Sequence, residues 1–102
     1  MKLLLFVSHN CPHCPKAERV ASEVVPDYAG LDYRKIRIKT EEGKSLSSEY
    51  HIMGTPTMLF LDGNGSELKR IVGVPGETGL RNTVEQLLGL RKSFLKRIFR
   101  KE

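Results

Sequence analysis

Residues 3–15 read Leu3-Leu4-Leu5-Phe6-Val7-Ser8-His9-Asn10-Cys11-Pro12-His13-Cys14-Pro15. The first five are apolar, too uniformly for a one-sided edge strand, and they predict a buried strand over residues 2–8. Both cysteines of the chain follow, within Cys11-Pro12-His13-Cys14-Pro15. Ala17, Val20, Ala21, Val24 and Val25 then recur at helical spacing, which predicts a helix from about Pro12 to Val25, stopped by Pro26. Pro12 and Pro15 fall in its first turn, where a missing N–H does least harm. A strand therefore delivers a dithiol to a helix start. Unpaired backbone N–H groups and the helix dipole favour a thiolate over a thiol there. The thiolate is the nucleophile of disulfide exchange.

Further along, Leu31 to Lys39 predicts a second strand, in which Ile36 and Ile38 alternate with Lys35, Arg37 and Lys39. Leu31 and Tyr33 share the alternation of the charged positions, which leaves a register shift within the strand open. Glu42 to Tyr50 predicts a short helix and Thr57 to Leu61 a third strand. Asp62-Gly63-Asn64-Gly65 is a hairpin signal, and Glu67 to Val72 is the returning strand. Gly73-Val74-Pro75-Gly76 breaks it. A last helix starts near Glu77 with Leu80, Val84, Leu87 and Leu88 inward, and its continuation into the C-terminal residues is open. The first half is a βαβ unit, so its two strands are expected to be parallel. The whole predicts an α/β protein with a four-stranded mixed sheet flanked by helices, in the order β-α-β-α-β-β-α.

Composition narrows the function classes. The chain has 102 residues, enough for one core. Two cysteines within one four-residue stretch are not the spread framework of a disulfide-stapled secreted domain. The apolar run after Lys2 is shorter than a signal-peptide core, and no run has transmembrane length; the expected location is cytoplasmic. The net charge of +5 is local. Residues 91–102 hold six basic residues and one acidic, whereas residues 1–90 hold eleven of each. The basicity describes a tail, and gives no support for a general nucleic-acid-binding surface.

A second motif joins the first. Tyr50-His51-Ile52-Met53-Gly54-Thr55-Pro56-Thr57-Met58-Leu59-Phe60-Leu61, together with the Cys-x-x-Cys after the first strand, resembles the thioredoxin fold and its segment around a cis-proline. The resemblance covers roughly residues 2–90, expected as one thioredoxin-like domain (1–90), with 91–102 as a basic amphipathic tail expected to be helical. It implies that Thr55 pairs with a substrate strand, that Pro56 sits beside the dithiol in a cis bond, and that Val72-Gly73-Val74 lines the groove. Starting directly at the dithiol strand is similar to glutaredoxin, and Cys-Pro-His-Cys-Pro resembles glutaredoxin-like domains of protein disulfide oxidoreductases. The departures matter. Asn10 stands where thioredoxins carry a tryptophan, and Leu5 replaces a buried aspartate that helps deprotonate the second cysteine. The glutathione-binding signature of glutaredoxins is incomplete.

The resemblance implies a thiol–disulfide oxidoreductase with no cofactor beyond a redox-active Cys11–Cys14 disulfide. Cys11 is expected to attack a substrate disulfide, and Cys14 to resolve the mixed disulfide. His13 stabilises the thiolate in this reading, or merely fills the turn; Pro12 stiffens the segment. Pro-His also occurs between the cysteines of strongly oxidising thiol oxidases, so the dipeptide does not fix a potential. Partners are disulfide-containing proteins and an electron donor, either a thioredoxin-reductase-like flavoprotein or a small thiol. The alternative from another class is metal binding or transfer by Cys11, Cys14 and the nearby His9 and His13, since thiolate and imidazole suit zinc or copper. Against it, no second ligand pair exists and Gly54-Thr55-Pro56-Thr57 stays unexplained. A binding module with an idle dithiol is the third reading. His9 and His51 are read as surface or turn residues and Tyr50 as core. For the tail, Phe94, Leu95, Ile98 and Phe99 share one helical face. It either packs on the body or a second subunit, or docks weakly to an anionic membrane surface or an acidic partner.

Overall fold

The apolar run forms the first strand, β1, at Lys2–Val7, and all of Leu3 to Val7 are buried. A strand buried on both faces must lie inside a sheet covered by two layers, and this one does. The computed structural model describes residues 1–89. In it, β1 is followed by helix α1 (Cys14–Val24), a 3-10 turn (Val25–Asp27), β2 (Asp32–Arg37) and α2 (Glu41–Glu49). Then come β3 (Thr57–Leu61), β4 (Glu67–Val72) and α3 (Glu77–Leu88). The strands pair in the order β2-β1-β3-β4. β1 runs parallel to β2 and antiparallel to β3, and β3 antiparallel to β4. The expected fold class and the parallel βαβ unit are both present.

The core divides by strand parity. Leu3, Leu5, Val7, Met58 and Phe60 point to one face, where Ala17, Ala21 and Val24 of α1 and Leu80 and Val84 of α3 cover them. Leu4, Phe6, Ile36, Leu59 and Leu61 point to the other, against Leu46, Tyr50 and Ile52 at and beyond α2. This two-sided burial corrects the register shift left open for the second strand. β2 pairs with β1 without interruption from Asp32 to Arg37. Tyr33 beside Leu3 serves the first face and Ile36 beside Phe6 the second, so apolar residues of opposite parity need no slip. An irregularity lies instead between Phe60 and Leu61, where β3 meets β4.

Local chemistry sets the element ends. Thr40 caps α2, its hydroxyl oxygen accepting from the Gly43 N–H at 2.9 Å. In the 62–66 connection the Asp62 carboxylate accepts from the N–H groups of Asn64 (2.8 Å) and Ser66 (3.0 Å). The Tyr50 hydroxyl donates to the Gly65 carbonyl at 2.7 Å, a structural role as expected. Gly89, at φ +80°, closes α3 at Leu88, so this helix does not run unbroken into the basic tail. The tail itself, 91–102, lies outside the described residues.

Candidate active site

The dithiol segment leaves the end of β1 and enters α1 with a short turn between. α1 begins at Cys14, not near Pro12, and His13 occupies its N-cap. Pro15 therefore lies in the first turn as expected, while Pro12 precedes the helix in an exposed turn. The His13 side chain forms no cap hydrogen bond, so it leaves the donors of the first turn uncovered. Cys11 and Cys14 are joined by a disulfide with Cα atoms 5.4 Å apart. Their exposures differ: Cys14 is 2% exposed and belongs to the core cluster with Leu5, whereas Cys11 is partly exposed.

Distant residues of the expected groove form a second group. The Thr55–Pro56 peptide bond is cis, and Pro56 is buried. The Gly73 N–H donates to the Pro56 carbonyl at 2.9 Å, which brings the Val72-Gly73-Val74 segment against the second motif. Gly73 has φ +94°, a conformation that favours glycine. Ser8 links this group to the dithiol. Its hydroxyl lies 3.0 Å from the Thr55 hydroxyl, and its carbonyl accepts from the Cys11 N–H at 3.3 Å. Sequence reasoning missed Ser8, because nothing local marks it and its partner lies 47 positions away. Met53, 92% exposed, and Val72, 73% exposed, flank the Thr55–Gly73 group in sequence and offer apolar surface beside it. His9 and His51 are both exposed, as expected for surface residues.

A cavity of about 410 Å³ opens beside the cysteines. Cys11, Cys14, Glu18, Lys35, Arg37 and Lys39 are among its lining residues. Glu18 and Lys35 form an ion pair across it, 3.0 Å between Oε1 and Nζ. Lys35 is the register partner of Leu5 on β2. Where the resemblance expects a buried carboxylate, the structure thus has a fully buried leucine with a lysine beside it. Burial, and then the Glu18 charge, raise the Tyr33 hydroxyl above its usual range. Among the described residues no three His, Cys, Asp or Glu side chains gather so that they could hold a metal ion.

A cysteine pair bridged at a helix start, one sulfur partly exposed and the other buried, defines a dithiol–disulfide exchange protein. Comparison with known proteins gives the family. Residues 1–88 match the model of the thioredoxin-like domain. The chain is 35% identical over 85 residues to a probable thioredoxin of Archaeoglobus fulgidus, covering 83% of this chain and 87% of that protein. It is 34% identical over 91 residues to a thioredoxin of Methanocaldococcus jannaschii, covering 86% of this chain and 96% of that one. A solved thioredoxin structure from Halobacterium salinarum superposes with a TM-score of 0.70 at 26% identity, over 83% of this chain and 72% of that chain. The chain belongs to the thioredoxin-like family, and it is a thiol–disulfide oxidoreductase.

Proposed function

We propose that Cys11 is the attacking thiolate, that Cys14 resolves the mixed disulfide, and that the protein reduces disulfides of protein substrates in the cytoplasm. The unequal exposure of the two sulfurs carries the assignment: only the Cys11 side can meet a bulky substrate. The uncapped first turn of α1 supplies N–H donors and a positive dipole end, which lower the pKa of a nearby thiol. His13, exposed at the N-cap, adds a cation or an N–H donor to that thiolate, and Pro12 restricts the turn. Thr55 offers its backbone to an extended substrate segment, with Pro56 and Gly73 shaping the groove. Cys11 attacks the substrate disulfide and one substrate sulfur leaves. Cys14 then attacks the Cys11 sulfur, and the second substrate thiolate is released as Cys11–Cys14 oxidises. No further cofactor enters these steps. The electron donor is a thioredoxin-reductase-like flavoprotein or a small thiol.

Trapping tests the roles. Cys14→Ser is expected to hold substrates covalently through Cys11, visible as mixed disulfides on non-reducing gels. Trapping by Cys11→Ser instead reverses the assignment. The direction is tested by the reduction potential of the couple. A value near about −270 mV supports a reductase, and one near about −120 mV overturns it in favour of an oxidase. For residues 91–102, the charge of six bases to one acid supports weak contact with an anionic membrane surface. Removing them should abolish binding to phosphatidylglycerol vesicles; equal binding by the shortened chain rules the contact out.

A further inference from the structure

The cavity beside the dithiol has an uneven charge. Lys35 and Arg37 are alternate residues of β2, in register with Leu5 and Val7 of β1. Both therefore lie on the face that α1 covers, and Lys39 continues the same alternation into the cavity wall. Glu18 is the acid among these lining residues and is engaged by Lys35. Arg37 and Lys39 are exposed and carry no ion pair among the described residues. The wall thus holds three cations against one anion, while residues 1–90 as a whole are balanced. Since β2 is an edge strand, its cations can meet a ligand arriving from solvent. An edge lysine also discourages strand pairing, but that purpose does not require all three cations on the dithiol side. The volume of about 410 Å³ is the size of a small-molecule site, and both cysteines line the cavity.

We propose that this cavity takes anionic low-molecular-weight disulfides, and the corresponding thiols in the reverse direction, with Arg37 and Lys39 as the specificity-determining residues. The proposal rests on the oxidoreductase reading and names a substrate class for it. The Cys11 thiolate attacks one sulfur of R–S–S–R, so that Cys11–S–S–R forms and R–S⁻ leaves. The Cys14 thiolate then attacks the Cys11 sulfur and the second R–S⁻ leaves. Two electrons pass from the dithiol to two R–S groups, which take up the two protons the cysteines lose. In reverse, two R–SH reduce the Cys11–Cys14 disulfide. Anionic R groups are held against Arg37 and Lys39 while their sulfur reaches Cys11.

The test is single-turnover oxidation of the full-length reduced protein by three symmetric disulfides at about pH 7: 3,3′-dithiodipropionate (dianion), bis(2-hydroxyethyl) disulfide (neutral) and cystamine (dication). Each rate is divided by that of free dithiothreitol with the same disulfide, to remove intrinsic reactivity. The dianion should lead the dication by about tenfold or more at low ionic strength. The double variant Arg37→Gln/Lys39→Gln should reduce that lead to about threefold or less, and Lys69→Gln on β4 should leave it intact. Raising salt from about 0.02 M to about 0.5 M should erase it in the unaltered protein, a readout independent of any variant. Reaction with all three disulfides in no charge order, or an order untouched by both the double variant and salt, overturns the proposal. Reaction with none of the three also overturns it while Cys14→Ser still traps protein substrates; failure of both the small disulfides and the trapping overturns the reading on which it rests.

Discussion

Leu5 sits at the centre of β1 with no exposed surface, packed in the same cluster as Cys14. Its surroundings are built for hydrocarbon, and the lysine beside it in register is already paired with Glu18. Leu5→Asp, which would restore the carboxylate the resemblance expects, should therefore destabilise the fold by at least about 3 kcal/mol, from lost burial and an added buried charge. Urea unfolding at neutral pH measures it, and a loss under about 1 kcal/mol would mean that the site is already polar or wet. The leucine was plain in the sequence. Its pairing with Lys35 was not, because register is set by the whole sheet and not by either strand alone.

Two helical glycines show how an element's context decides the sign of a substitution. Gly43 in α2 is buried, and a Cβ there would overlap the Arg37 carbonyl. Gly43→Ala should cost about 1–3 kcal/mol because backbone has to move. Gly79 in the first turn of α3 has open space around it, so Gly79→Ala should stabilise by up to about 0.5–1 kcal/mol. Denaturant midpoints with opposite shifts are the expected result; equal signs would contradict the close approach at Gly43. In the same helix, Thr40→Ala removes the α2 cap and should cost about 1 kcal/mol by the same measurement. The sequence placed the four strands and three α-helices from period and turn residues, but not the 3-10 turn at Val25–Asp27 that carries the chain through Pro26. The start of α1 falls at Cys14 and not near Pro12, because the two prolines fit a first turn equally well in sequence and only Pro15 lies in it.

Across the whole molecule, surface ion pairs tie separate elements together, and they give stability a pH dependence of known sign. Arg70 on β4 holds Glu67 and also donates to the Tyr50 and His51 carbonyls beyond α2. The Arg70 hydrogen bonds hold the Glu67 carboxyl below its usual range, and the Arg34 hydrogen bonds do the same for Glu42. With the folded value below the unfolded one, the folded state binds fewer protons between the two. This contribution is complete above about pH 4.3, the unfolded carboxyl value, and is lost as pH falls through the folded values. Urea midpoints should hold above about pH 5 and drop as pH falls below about 4.3, and Glu67→Gln should flatten part of that drop. An unchanged slope in Glu67→Gln would mean that the pair is fully screened.

By itself, the sequence determined the order of elements, the identity of the reactive pair and the family. Those properties are written in consecutive residues: apolar period, turn chemistry, and two motifs of fixed spacing. Only the tertiary structure decided that Ser8 joins Thr55 to the Cys11 segment, and that Lys35, Arg37 and Lys39 wall a cavity against the dithiol. The reason is that each of these depends on which strands become neighbours. A run of alternating lysine and isoleucine reads the same whether its charged side meets solvent or a sulfur, and pairing β2 in register beside β1 is what chooses.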